Sequence, residues 1–211
     1  MNTAEMRTLV RRDLRDDDPA AQRWTDDELD RHVQHAVHDV SKAAPDESVA
    51  TLAAVTGSRE VALTSLRGLL DVEAVEYPLG RSPACFVPFS RWGASLTLQA
   101  DAPPAGREQL RVYYTKLHTL DAASSTVPEH LEDTVALGAA AYAALAWASF
   151  AANRVNLGGE DTARRYRVWG NERLEAFQLT LGRAAARRGV RVRRMYPEGD
   201  PAPRHLRVRG A

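Results

Sequence analysis

The sequence predicts an α+β chain: a predominantly α-helical bundle with a β-rich antiparallel insertion between its second and third helices, and an extended basic C-terminal tail. Three observations predict it. Apolar residues recur at helical spacing near both ends, short β-prone runs alternate with Pro/Gly breaks between residues 46 and 118, and arginine and proline crowd the chain after residue 190. The expected divisions are therefore N-terminal helices over 1–45, the insertion over 46–118, long C-terminal helices over 119–189 and the tail over 190–211.

Met6, Leu9, Val10 and Leu14 lie on one side of a first helix over residues 3–16, which Asp16-Asp17-Asp18-Pro19 ends. The clearest local signal follows. In Trp24-Thr25-Asp26-Asp27-Glu28-Leu29, Thr25 is an N-cap and Glu28, three residues on, completes a capping box. Trp24 and Leu29 are placed to form a hydrophobic staple, and Asp26 and Asp27 complement the positive end of the helix dipole. Val33, Ala36, Val37 and Val40 carry this second helix to Ala44-Pro45.

The period then changes. Residues 72–77, 84–89, 95–99 and 110–116 are candidate strands, with Leu52, Val55, Val61 and Leu63 in further short segments. Their closeness in sequence favours antiparallel pairing. Helix returns at Ser125-Thr126-Val127-Pro128-Glu129, expected to be a second capping box with proline in the first turn. An alanine-rich helix runs to about Asn153. A last helix runs from about Asp161 to Arg188, with Tyr166, Trp169, Leu174, Phe177 and Leu181 on its apolar face and Gly189 as its stop.

Residues 135–152 contain no charged side chain, but ten of these eighteen positions are alanine. Alanine contributes little to membrane insertion, so a helix buried on most faces is expected in place of a span. No secretory signal is expected, because the N-terminal segment alternates charge with isolated apolar residues. The single cysteine, Cys85, excludes an internal disulfide. Acidic and basic residues balance at 28 each, yet unevenly: residues 1–50 hold twelve acids against seven bases, and residues 183–211 hold nine arginines against Glu198 and Asp200. An acidic front and a basic end imply partners of different charge.

Catalytic and metal chemistry find little support. His32, His35 and His38 recur at three-residue steps but drift around a helix, and H-E-x-x-H is absent, so solvated histidines are expected. Asp16, Asp17, Asp18, Asp26 and Asp27 lack calcium-loop spacing and fit a turn and a helix cap. Glu129, Glu132 and Asp133 likewise sit in a first helical turn. Cys85 with His118 is the one drawable nucleophile and base, but a lone cysteine in Ala84-Cys85-Phe86-Val87 is expected to be a small buried hydrophobe. No enzyme activity, metal or cofactor is expected. The remaining functional signal is basic: Arg183, Arg187, Arg188, Arg191, Arg193 and Arg194 form a candidate surface for phosphates or an acidic protein.

Several of these segments together resemble the head–tail connector (adaptor) proteins of tailed bacteriophages. They are Arg23-Trp24-Thr25-Asp26-Asp27-Glu28-Leu29, Tyr114-Thr115-Lys116-Leu117-His118-Thr119-Leu120-Asp121, Thr126-Val127-Pro128-Glu129, Gly138-Ala139-Ala140-Ala141, and the helix from Tyr166-Arg167-Val168-Trp169 to Phe177. The resemblance covers the helical parts and rests on motifs of moderate specificity. It implies a structural virion protein in the neck, assembled in the host cytoplasm as a homo-oligomeric ring, commonly a dodecamer. Such a ring docks on the portal protein, prolongs the DNA channel, and meets stopper or tail-completion proteins on its far side. It implies no membrane partner and no catalytic residues. Arg183, Arg187, Arg188, Arg191, Arg193 and Arg194 are then the expected portal- or DNA-facing side chains, with DNA contact independent of sequence. The alternatives are another neck protein (stopper or tail completion) and a small DNA-binding protein acting through the arginine-rich tail.

Overall fold

The computed structural model describes residues 1–152 and 161–192, the last five by backbone alone. Ten elements follow in order: α1 (Thr3–Leu14), α2 (Asp26–Ala43), β1 (Asp46–Ala53), β2 (Glu60–Ala62), β3 (Leu69–Glu76), β4 (Phe89–Trp92), β5 (Ser95–Leu98), β6 (Gln109–Lys116), α3 (Glu129–Ala151) and α4 (Thr162–Val192). The chain divides into two compact units. One comprises Met1–Ala44 and His118–Ala185; the other comprises Pro45–Leu117 and residues 186–192.

The helical unit closes on an apolar core shared by its helices. Met6 and Val10 of α1, Leu29, Val33 and Val37 of α2, Val135, Ala139 and Ala143 of α3, and Phe177 of α4 all belong to one buried cluster. The entry to α2 forms as its sequence demands. Glu28 N–H donates to Thr25 Oγ1 at 3.3 Å and Thr25 N–H to Glu28 Oε2 at 2.8 Å. The Thr25 N–H, together with its hydroxyl at 2.9 Å, donates to the Glu28 carboxyl and holds it below its ordinary range. Trp24 and Leu29 are both buried, as the staple requires. α1 carries an equivalent capping box from Asn2 and Glu5, and ends on Arg15 in the left-handed region at φ 55°.

α3 is long and apolar enough to cross a membrane by length and composition alone. However, 61% of its most apolar stretch is buried within the protein, as a core helix would be. Small side chains permit that burial. A Cβ added at Gly138 would lie 2.8 Å from Phe177 Cε2, so a glycine is what lets this ring approach α3.

The β unit has its own core. One antiparallel sheet has the order β1-β6-β3, the other β2-β5-β4. β1 pairs with β6 without interruption from Asp46↔Lys116 to Ala53↔Gln109, whereas the β3–β6 ladder shifts register twice. Inward residues of both sheets, including Val72, Val75, Leu110 and Val112 from one and Val61, Phe89, Leu96 and Leu98 from the other, form one buried cluster.

The expected fold class is corrected here. The protein is not a predominantly helical bundle with an insertion; it is α+β, with four helices and two small antiparallel sheets. The strand-bearing segment alternates side chains across two sheets and so buries a core of its own, which a mere appendage would not. An extended tail beginning at residue 190 is also corrected, because α4 continues through Val192. Gly189 inside a helix costs only about 1 kcal/mol relative to alanine, too little to end it among good helix formers such as arginine.

Two local expectations also change. No strand spans residues 84–89: β4 begins at Phe89, and the preceding segment only touches the edge of β3 through Tyr77 N–H to Cys85 O and Val87 N–H to Val75 O, both 2.9 Å. The second capping box does not form either, since α3 starts after Pro128 with no side-chain cap. Thr126 Oγ1 has a stronger claim elsewhere, described below.

Candidate functional site

Two of the segments singled out in the sequence, residues 23–29 and 118–126, lie at joints of the helical unit. At the α1–α2 corner, Arg11 and Asp16 are both buried, 7% and 5% exposed. Arg11 Nη1 meets Asp16 Oδ2 at 2.6 Å, while Nη2 donates to Trp24 O at 2.9 Å and to Asp26 Oδ1 at 2.7 Å. Asp16 also accepts from the Arg23 N–H at 2.6 Å. Arg7 clasps Asp30 through two bonds of 2.8 Å and also reaches Asp26. The bond from Arg11, with the nearby Arg7 charge, holds the Asp26 carboxyl below its ordinary range. Asp16 and Asp26 therefore brace the corner as well as serving the expected turn and cap. The sequence carries no local sign of the Arg11–Asp16 pair, because its partners meet only when the corner closes.

Arg23 completes this joint from outside. Its guanidinium lies 4.3 Å from the Trp147 ring centre and 5.2 Å from that of Tyr166, and Nη1 donates to the Tyr166 hydroxyl at 2.7 Å. Trp24 Nε1 donates to Ala143 O at 3.3 Å, fastening the corner to α3.

The second joint centres on His118, which is 5% exposed. Its backbone N–H donates to Ser41 Oγ at 3.0 Å, its Nε2 lies 2.9 Å from Ala44 O, and its Nδ1 lies 3.2 Å from Thr126 Oγ1. A carbonyl can only accept, so Nε2 carries a proton, and in the neutral ring Nδ1 then accepts from Thr126. Thr126 Oγ1 also accepts from the Thr119 N–H at 2.9 Å, which is why it is lost as a helix cap. His118 thus ties the end of α2 to the approach of α3.

Both of its ring nitrogens are engaged in hydrogen bonds within the helical unit. Cys85 itself is exposed, contrary to the buried hydrophobe expected, because residues 81–85 precede β4 and present their side chains to solvent.

The three α2 histidines separate. His38 is exposed, and His35 stacks on Tyr142 at 4.1 Å with an interplanar angle of 8°. His32 is not solvated as expected. It is 7% exposed, and burial, reinforced by the Arg31 and His35 charges, pushes its pKa down to about 4. Among the described residues, no group of three or more His, Cys, Asp or Glu side chains could hold a metal ion.

Open grooves occur in each unit. One of about 270 Å³ in the helical unit is lined by residues including Leu14, Tyr166 and Trp169. One of about 550 Å³ in the β unit contains Tyr77 and Glu108. There the Tyr77 hydroxyl donates to Glu108, and burial followed by that bond pushes the Tyr77 pKa up to about 12. Of the candidate arginines, Arg183 and Arg187 are exposed on α4. Arg188 and Arg191 lie on its backbone, and Arg193 and Arg194 fall outside the described residues. Large apolar side chains are also exposed, above all Trp92 at 91%, at the end of β4 where the β4–β5 hairpin turns.

No protein-family model matches this chain. No curated protein matches it either. Among solved structures, it is similar to a chain from the neck of an empty GTA particle computed with C6 symmetry. The identity is 13% and the TM-score 0.29, over 79% of this chain and 88% of that one. A score this low marks a distant likeness and carries no argument about function.

Proposed function

We propose that this chain is a structural, non-enzymatic component of a tailed-phage neck, a head–tail connector (adaptor) that assembles as a homo-oligomeric ring between the portal and the stopper or tail proteins. The observation that carries the reading is where the connector-like motifs fall. Arg23-Trp24-Thr25-Asp26-Asp27-Glu28-Leu29 builds the α1–α2 corner, and His118 with Thr126 builds the joint between α2 and α3. Asp16, Asp26, His118 and Thr126 are engaged in holding helices together, which is what a scaffold requires. The exposed Arg183 and Arg187 suit an acidic protein surface or the DNA channel.

Electron microscopy of the purified protein, alone and mixed with a portal, tests this. Rings on the portal are expected; failure to associate with any portal or neck component overturns the reading. The arginines on α4 keep a DNA-binding reading in play. It predicts tight, salt-sensitive duplex binding by the isolated protein, measurable by anisotropy, whereas the connector needs none.

A further inference from the structure

Three glycines of the helical unit lie within helices, and two are explained by the chain's own packing. A Cβ at Gly138 would meet Phe177, and one at Gly170 would come 2.9 Å from Leu145 Cγ. Gly182 is different. Among the described residues nothing lies within 4 Å of the place its Cβ would occupy, and its φ is not positive. A mid-helix glycine costs about 1 kcal/mol relative to alanine, and the described residues give no local reason for it.

The neighbours of Gly182 supply one. Leu179, 56% exposed, sits on the face of α4 opposite the buried Phe177. Three residues to either side of it are Ala176 and Gly182, and four to either side are Glu175 and Arg183, all exposed. This arrangement is self-complementary under a two-fold axis. An antiparallel copy centred on Leu179 sets Leu179 against Leu179, Ala176 against Gly182, and Glu175 against Arg183 at both ends of a contact about 12 Å long. Small residues beside the central leucine allow the backbones to approach, and the charges select antiparallel over parallel pairing, which would set like charges together.

We infer that the outer face of α4 docks a second copy of this chain, through an antiparallel contact centred on Leu179 and closed by reciprocal Glu175–Arg183 pairs. A two-fold contact of this kind closes on itself and does not propagate. It is therefore separate from the ring proposed above and belongs to the free protein.

Sedimentation velocity of the full chain over a concentration series tests it. A concentration-dependent dimer is expected, weakened more than about tenfold by Leu179→Glu, by Glu175→Arg and by Arg183→Glu taken singly. A one-to-one mixture of Glu175→Arg with Arg183→Glu should recover dimer, since each variant then supplies the charge the other lacks. All these side chains are exposed, so circular dichroism should show each variant folded. A monomer at every concentration, a dimer indifferent to Leu179→Glu, or a mixture no better than its components overturns the inference. A protein that is monomeric alone yet forms rings on a portal removes this contact and leaves the connector reading standing.

Discussion

Gly138→Ala tests whether the α3–α4 seam is as tight as its geometry implies. Alanine has the highest helix propensity, so the substitution alone should stabilise α3 by about 1 kcal/mol. Yet the new Cβ would stand 2.8 Å from Cε2 and Cζ of Phe177 and 3.0 Å from its Cε1. Carbon atoms rest at about 3.5–4.0 Å, so the ring must retreat by roughly 1 Å. Phe177 is 1% exposed and packs edge-on against Tyr142 at 6.1 Å, which leaves it nowhere free to go. Overpacking of this kind costs about 1–3 kcal/mol. The cost exceeds the propensity gain over most of that range, so the expected net effect is destabilisation of up to about 2 kcal/mol. Gly182→Ala is the control. With open space around it, that variant should gain about 0.5–1 kcal/mol, measured at a concentration where the chain is monomeric. Urea denaturation followed by circular dichroism reads both midpoints. Phe177→Leu introduced into Gly138→Ala should recover part of the loss, a coupling that a double-mutant cycle isolates. If Gly138→Ala proves as stabilising as Gly182→Ala, the seam has slack and the packing argument fails.

Two further outcomes follow from buried polar groups. His32 folds neutral with its pKa lowered to about 4, so it contributes stability that is fully present above about pH 6.5 and lost as the pH falls towards 4, because the unfolded chain takes up the proton first. The loss should reach about 3 kcal/mol, and His32→Leu should flatten that part of a stability-against-pH curve. Asp16→Ala removes the buried partner of Arg11, whose guanidinium keeps Asp26 and the Trp24 carbonyl, and takes from the Arg23 N–H its acceptor; it should cost about 1–3 kcal/mol in chemical denaturation.

The features legible beforehand were local ones. The Thr25–Glu28 box needs only the four residues it spans, so its chemistry could be read and its geometry follows. The same signature at Ser125-Thr126 misled, because Thr126 Oγ1 is claimed by His118 and Thr119 through the approach of α2, which no local pattern encodes. Alternating apolar residues marked the strands of residues 46–118, but their division between two sheets around one core depends on contacts far apart in sequence. Cys85 shows the same limit: its apolar neighbours suggested burial, and only the point at which β4 begins decides that it faces solvent.

The sequence by itself determined the four helices to within a few residues of their ends and the places of β3, β5 and β6, since periodicity, caps and turn residues act over a few positions. Tertiary structure alone decided that Arg11 and Asp16 are buried together, that His118 is a joint, and that Gly138 makes room for Phe177 while Gly182 faces open space. Burial and hydrogen-bond competition are settled by whichever distant groups arrive, and the free energy of a polar or small side chain depends on that company more than on its own identity.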